Sequence, residues 1–169
     1  MRDMPNADLC DTLGNLLHRA TNLCKKYCGG VIPDVAVSPK LPIDLNKVIP
    51  EFVTKMYNFD LQGGANTVIQ GFRDVNGYLQ EEAPWLKKGD EHAEARQVSV
   101  RTTLEAIYAL AHMLLPFLPI GGAKIFKKLN TEPKSSLQDI DVTCNNLAVG
   151  TKIEIGEVLY TKSLEEKDN

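Results

Sequence analysis

An all-α fold, an antiparallel bundle of about five helices followed by a C-terminal extended segment or small hairpin, is what this sequence predicts on three observations. Apolar residues recur at spacings of three and four along four long segments. Three of those segments end at glycine or proline, the residues that break helices. After Thr131 the texture turns polar and β-branched, and it closes in a strictly alternating run. The resulting layout is a helical bundle over residues 1–130, an extended tail over 131–162 packed on it, and a charged end over 163–169 that frays.

The first helix spans Asp8 to Cys28, with Leu9, Leu13, Leu16, Leu17, Ala20, Leu23, Cys24 and Tyr27 on one stripe. Asn6 is its expected N-cap, and Gly29-Gly30 followed by Pro33 stops it. The second runs from Asp44 to about Asn58 on Leu45, Val48, Phe52, Val53 and Met56, with Pro50 expected to distort or delay its first turns. From Asp60 to Gln80 the pattern places Leu61, Ala65, Val68, Ile69, Phe72, Val75 and Leu79 inward, and Gln62, Asn66, Gln70, Arg73, Asn76 and Gln80 outward. Pro84 ends that helix, because the residue before a proline is pushed out of the right-handed helical region. A fourth helix covers Glu91 to Leu115 and stops at Pro116-Phe117-Leu118-Pro119, and a short fifth covers Ala123 to Leu129. The alternating run is Lys152 to Tyr160, suited to an extended strand lying on the bundle.

Composition narrows the classes of function. Nineteen basic against 22 acidic side chains leave a net charge of −3, so nucleic acid could be held only through local contacts and not by a bulk positive field. No apolar run is long enough to span a bilayer, and the start carries no secretory leader, so the expected compartment is the cytoplasm. The four cysteines, Cys10, Cys24, Cys28 and Cys144, are expected as reduced thiols there. Cys24, Cys28 and His18 share a helix, but structural zinc needs four closely spaced ligands and no second pair exists; no metal site is expected. His92 and His112 are assigned surface and packing roles.

A second, polar stripe runs along the first helix through Asp11, Asn15, Arg19, Asn22 and Lys26, so Asn15 and Arg19 project together. Most such stripes are only solvated faces. Gly14 beside this one weighs against that, since a glycine inside a helix costs about 1 kcal/mol relative to alanine and marks close approach of something. The sole tryptophan, Trp85, stands at the Pro84 break beside Lys87 and Lys88; most lone tryptophans are core residues, but this position favours presentation of one ring face. Periodicity alone does not bring Trp85 to Arg19.

The segment Ala7 to Arg19, with Leu13-Gly14-Asn15 and then Arg19, resembles the opening helix of the anticodon-binding domain of methionyl-tRNA synthetases, the methionine–tRNA ligases. Glu82-Ala83-Pro84-Trp85 resembles that family's acidic-Ala-Pro-Trp turn, and Met113-Leu114-Leu115-Pro116-Phe117-Leu118-Pro119 its Pro-x-x-Pro step. Gly150-Thr151-Lys152-Ile153 through Val158-Leu159-Tyr160-Thr161-Lys162 is similar to its closing segment. The likeness covers nearly the whole chain in order. It implies RNA-binding roles for Asn15, Arg19 and Trp85 in reading the CAU anticodon of methionine tRNA, with Lys26, Lys87 and Lys88 near phosphates. It implies as partners the methionine tRNA anticodon loop and the catalytic domain of the same enzyme, with no DNA and no membrane.

The catalytic elements of a class I aminoacyl-tRNA synthetase, a His-Ile-Gly-His-type motif and a Lys-Met-Ser-Lys-Ser-type loop, do not occur, and Gly63-Gly64 and Gly121-Gly122 are isolated pairs and not phosphate loops. No catalytic residue and no cofactor is therefore expected here; ATP and methionine would bind the absent catalytic domain. Two alternatives stay open at this point. One is a helical protein-interaction module descended from a synthetase, and the other is the anticodon domain of another class I synthetase.

Overall fold

The computed structural model describes residues 6–154, with side chains from Cys10 onward. Five α-helices make up the bundle among these residues: α1 (Asn6–Cys28), α2 (Leu45–Tyr57), α3 (Leu61–Glu82), α4 (Ala93–Leu114) and α5 (Pro119–Lys128). Single 3-10 turns stand at Pro84–Leu86, Asp90–His92 and Leu137–Asp139. The all-α class follows from the periodicity, and α4 is its centre: every residue from Ser99 to Leu114 is buried. A helix enclosed on all sides must be packed on all sides; here α1, α3 and α5 surround it, while α2 backs onto α3.

Local signals account for most of the helix ends. Asp44 caps α2 by accepting from the Asn46 N–H at 3.1 Å, and Asp60 caps α3 by accepting from the Gly63 N–H at 2.8 Å. Cys28 is followed by Gly29 and Gly30 at φ 65° and 78°, the left-handed conformation that ends a helix and that glycine adopts without a Cβ clash. The α3 stop occurs as Pro84 requires: Ala83 leaves the right-handed region for φ 42°, and its N–H still reaches the Leu79 carbonyl. Where α3 crosses α4, Gly71 lets the helices approach; a Cβ there would lie 2.6 Å from Leu110 Cδ2.

Several expectations are corrected. The described part of α1 already includes Asn6, the residue expected to precede it. Pro50 neither delays nor interrupts α2, which is continuous from Leu45; the carbonyl it frees, that of Asn46, is on an exposed residue where water can satisfy it. Val53 and Leu61 are 45% and 59% exposed instead of inward: α2 buries Leu45, Ile49 and Phe52, and α3 buries nothing before Gly64. α4 begins at Ala93, after a 3-10 turn. α5 begins four residues early, at Pro119: proline has no N–H to satisfy at a first helical position, and the Gly122 N–H closes the turn onto the Leu118 carbonyl at 2.8 Å. Of the alternating run only Lys152 to Glu154 is described; the remainder to Tyr160, like the 163–169 end, lies outside the described residues.

The segment after α5 is bound to the bundle by backbone pairing and by buried polar groups. Val31 and Lys152 form an antiparallel bridge, with Ile32 N–H to Thr151 O at 2.9 Å and Ile153 N–H to Gly30 O at 3.0 Å. Deeper in, Arg101 and Glu105, one turn apart on α4, form an ion pair of 3.2 Å with side chains 8% and 0% exposed. Arg101 donates to the carbonyls of Pro33 at 3.1 Å and Leu147 at 2.8 Å, while Glu105 accepts from the N–H groups of Asn146 at 2.8 Å and Leu147 at 2.9 Å. Burial pushes the Glu105 carboxyl above its usual range, and the two backbone donors and Arg101 pull it back.

His112 holds the start of the same segment. Its Nδ1 lies 3.0 Å from the Tyr108 carbonyl and must donate, and its Nε2 accepts from the Lys134 N–H at 2.9 Å, so the ring is neutral with a defined tautomer. Tyr108 and Phe126 meet it edge-on at 4.9 and 4.8 Å, and the Tyr108 hydroxyl donates to the Glu132 carbonyl.

Two outcomes follow. Arg101→Met should cost about 3–5 kcal/mol in chemical denaturation, because it strands a buried carboxylate; adding Glu105→Leu should not restore stability, since the Asn146 and Leu147 N–H groups would then have no acceptor. Burial lowers the His112 pKa. Above its ordinary value near 6.5 the folded and unfolded forms are both neutral; below it the unfolded chain takes up the proton first, so stability falls as pH falls from about 6.5 toward the lowered folded value. Denaturation midpoints at pH 7.5 and 5.5 should therefore differ more for the parent than for His112→Gln, and equal slopes would contradict the assignment.

Candidate nucleic-acid interface

Arg19, Asn15 and Trp85 come from α1 and from the turn that follows α3. Asn15 and Arg19 are one turn apart on the polar stripe; Asn15 is exposed and Arg19 half-buried. Across from them, left-handed Ala83 sends the chain sideways into the Pro84–Leu86 turn, which Leu86 N–H closes onto the Ala83 carbonyl at 2.9 Å. That turn lays Trp85 half-buried against the core, with the Arg19 guanidinium carbon 5.0 Å from its ring centroid, a cation–π contact. Two residues 66 positions apart in sequence are thus in contact.

A second cationic cluster adjoins the first. Arg96, on the first turn of α4, donates through Nη1 to the carbonyls of Lys87 and Gly89, and so ties down the segment that carries Trp85. Its guanidinium carbon also lies 5.3 Å from the Tyr27 ring centroid, with Lys26 Nζ at 5.5 Å from the same ring. Gln97 reaches the Tyr27 carbonyl at 3.4 Å, fixing the C-terminal end of α1 against the N-terminal end of α4. Of the lysines expected near phosphate, Lys26 and Lys88 are exposed, whereas Lys87 pairs with Glu82 at 3.3 Å. Arg19, Lys26 and Arg96 thus stand on aromatic rings where α1, α3 and α4 meet, among acidic neighbours such as Glu82 and Glu94.

Neither Arg96 nor the role of Asn76 was legible. Asn76 reads as one more outward residue of α3, yet its Oδ1 accepts from Arg19 Nη1 at 3.4 Å. The only signal in the sequence was its place on α3 two turns before the tryptophan. Arg96 follows a turn of irregular length, and nothing in spacing points it back at Lys87.

Cys24 and Cys28, weighed as metal ligands, instead belong to the end of α1. Cys24 is fully buried and its thiol lies 3.4 Å from the Val31 carbonyl; a hydrogen bond to Cys28 and burial together hold it protonated well above its usual range. At the opposite end of the bundle, roughly 30 Å away by the length of α3, Tyr57 and Phe59 are 84% and 88% exposed at the α2–α3 turn.

The family described as the anticodon binding domain of methionyl tRNA ligase matches residues 34–169. A methionine–tRNA ligase of Thermotoga maritima is 29% identical over 96% of this chain, and one of Streptomyces coelicolor 32% identical over 95%. The chain spans only 26% and 32% of those two proteins. In fold it is similar to the Mycobacterium tuberculosis methionyl-tRNA synthetase in complex with methionyl-adenylate, at a TM-score of 0.75 and 22% identity, covering 93% of this chain and 32% of that one.

Arg96→Met should speed amide exchange across residues 86–90 by tenfold or more, while global stability falls by no more than about 1–2 kcal/mol, the scale of one or two lost hydrogen bonds. Unchanged exchange would show that the turn holds itself.

Proposed function

The chain belongs to the family of anticodon-binding domains of methionyl-tRNA ligases, and from that premise we propose that Asn15, Arg19 and Trp85 read the CAU anticodon of methionine tRNA. The reading rests above all on the contact of Arg19 with Trp85, which brings a donor-rich cation and an aromatic ring to one surface. Single-stranded loops are recognised by stacking unpaired bases on aromatic rings and bonding their edges, at about 1–3 kcal/mol per stacked base. Trp85 supplies the ring. Arg19 supplies only donors, which suit the two acceptors on the pairing edge of cytosine, whereas uracil presents an N–H where cytosine has a bare nitrogen. Asn15, exposed one turn away, can donate or accept and so serves either neighbour.

On this proposal the domain grips the anticodon loop while a catalytic domain of the same enzyme, outside this chain, binds ATP and methionine and esterifies the far end of the tRNA. The domain itself performs no catalytic step and holds no cofactor. Its setting on this proposal is the cytoplasm, the location named for a similar ligase of Arabidopsis thaliana. DNA is not a partner in this reading.

Titration of an anticodon stem-loop bearing CAU against the same loop bearing UAU, at fixed salt, tests it through the emission of Trp85, the chain's one tryptophan. The expected result is a preference for CAU of about tenfold or more, equivalent to roughly 1.4 kcal/mol, with quenching of Trp85 and loss of the preference in Arg19→Ala. Equal, weak binding of both loops would overturn the reading.

A further inference from the structure

Arginine at a surface ordinarily samples many rotamers, and its five N–H donors then find whatever acceptor is presented. Arg19 is not in that situation. Its Nη1 donates to Asn76 Oδ1 at 3.4 Å on α3, and its guanidinium carbon is 5.0 Å from the Trp85 ring centroid in the turn after α3. The guanidinium is thus held by two groups from outside its own helix, both half-buried and both placed by the same helix, α3. The orientation of the Asn76 amide is also decided: arginine can only donate, so the amide oxygen must face it and the NH2 must face away.

We propose that Asn76 is a specificity-determining positioning residue of this interface, holding Arg19 against Trp85 before RNA arrives so that the remaining guanidinium donors meet a nucleobase at one fixed place. The inference rests on the anticodon-reading proposal above. Its physical content is that discrimination needs a rigid donor. When uracil puts an N–H against a guanidinium that cannot turn, the two donors stay opposed and the mismatch is felt in full. A guanidinium free to rotate would find the neighbouring carbonyl oxygens of either base, and the difference between cytosine and uracil would shrink. Removing Asn76 should therefore erode selectivity more than affinity.

The experiment pairs Asn76→Ala with Asn76→Asp and takes two readouts. In the RNA-free chain, the side-chain proton signals of Arg19 should carry a ring-current displacement from Trp85. That displacement should collapse in Asn76→Ala and persist in Asn76→Asp, which keeps an acceptor of the same size. In titrations with the CAU and UAU stem-loops, the parent's preference of about tenfold or more should fall severalfold in Asn76→Ala through tighter relative binding of UAU. Asn76→Asp should bind both loops more weakly, its added charge repelling phosphate, while keeping the ratio. A parent that prefers CAU, with Asn76→Ala retaining both the Arg19 displacement and the full ratio, overturns this inference alone. A parent with no preference overturns the anticodon-reading proposal, and the selectivity role of Asn76 with it.

Discussion

A guanidinium and a carboxylate enclosed within the fold fix the two irregular segments that lie against α4. Arg101 and Glu105 occupy one side of a helix whose neighbouring residues are all buried, so both charges must be met from within the protein. They are met by backbone: the carbonyls of Pro33 and Val35 from the segment after α1, and both backbone groups of Leu147 from the segment after α5. Two stretches without regular secondary structure are thereby pinned to the central helix, and they lie close enough to pair at Val31 and Lys152. Hydrophobic packing alone would bury α4 without specifying where those two stretches lie.

The interface follows from the same helix. The N-terminal turns of α4 carry Arg96, which ties the segment following Trp85, and Gln97, which ties the end of α1. Both elements that face each other across the interface are therefore referenced to one rigid body. This suits a chain with a net charge of −3, which has no general attraction for phosphate to rely on. On the proposed anticodon reading, affinity and selectivity come from a few side chains in set positions, and positions are set by groups that are themselves fixed.

The sequence carried most of this architecture and part of the interface. Helices α1 to α4 are written in apolar spacing that the core enforces, and the α3 stop is written in Pro84. Less legible was whatever depends on long-range context. Leu61 and Val53 satisfy the helical pattern yet stay exposed, because periodicity ranks the faces of a helix without saying where its neighbours end. Arg101 and Glu105 look like an ordinary exposed pair one turn apart and are among the most enclosed charges in the molecule. At the interface, Asn15 and Arg19 were legible as a stripe, but their meeting with Trp85 was suggested only by family resemblance, since a contact between α1 and the turn after α3 leaves no local trace. Asn76 and Arg96 act through partners 57 and 7 or more positions away, and spacing does not encode such pairings.

On the proposed function, the RNA sits on the surface formed by Asn15, Arg19 and Trp85. The most direct test of this placement is chemical-shift mapping of the isotopically labelled chain during titration with a CAU anticodon stem-loop. The expected result is that the Trp85 indole N–H and the signals of Asn15 and Arg19 move together and saturate with the RNA, while Tyr57 and Phe59 at the far end of the bundle stay still. Shifts gathered at Tyr57 and Phe59, with the Trp85 indole unmoved, would contradict it.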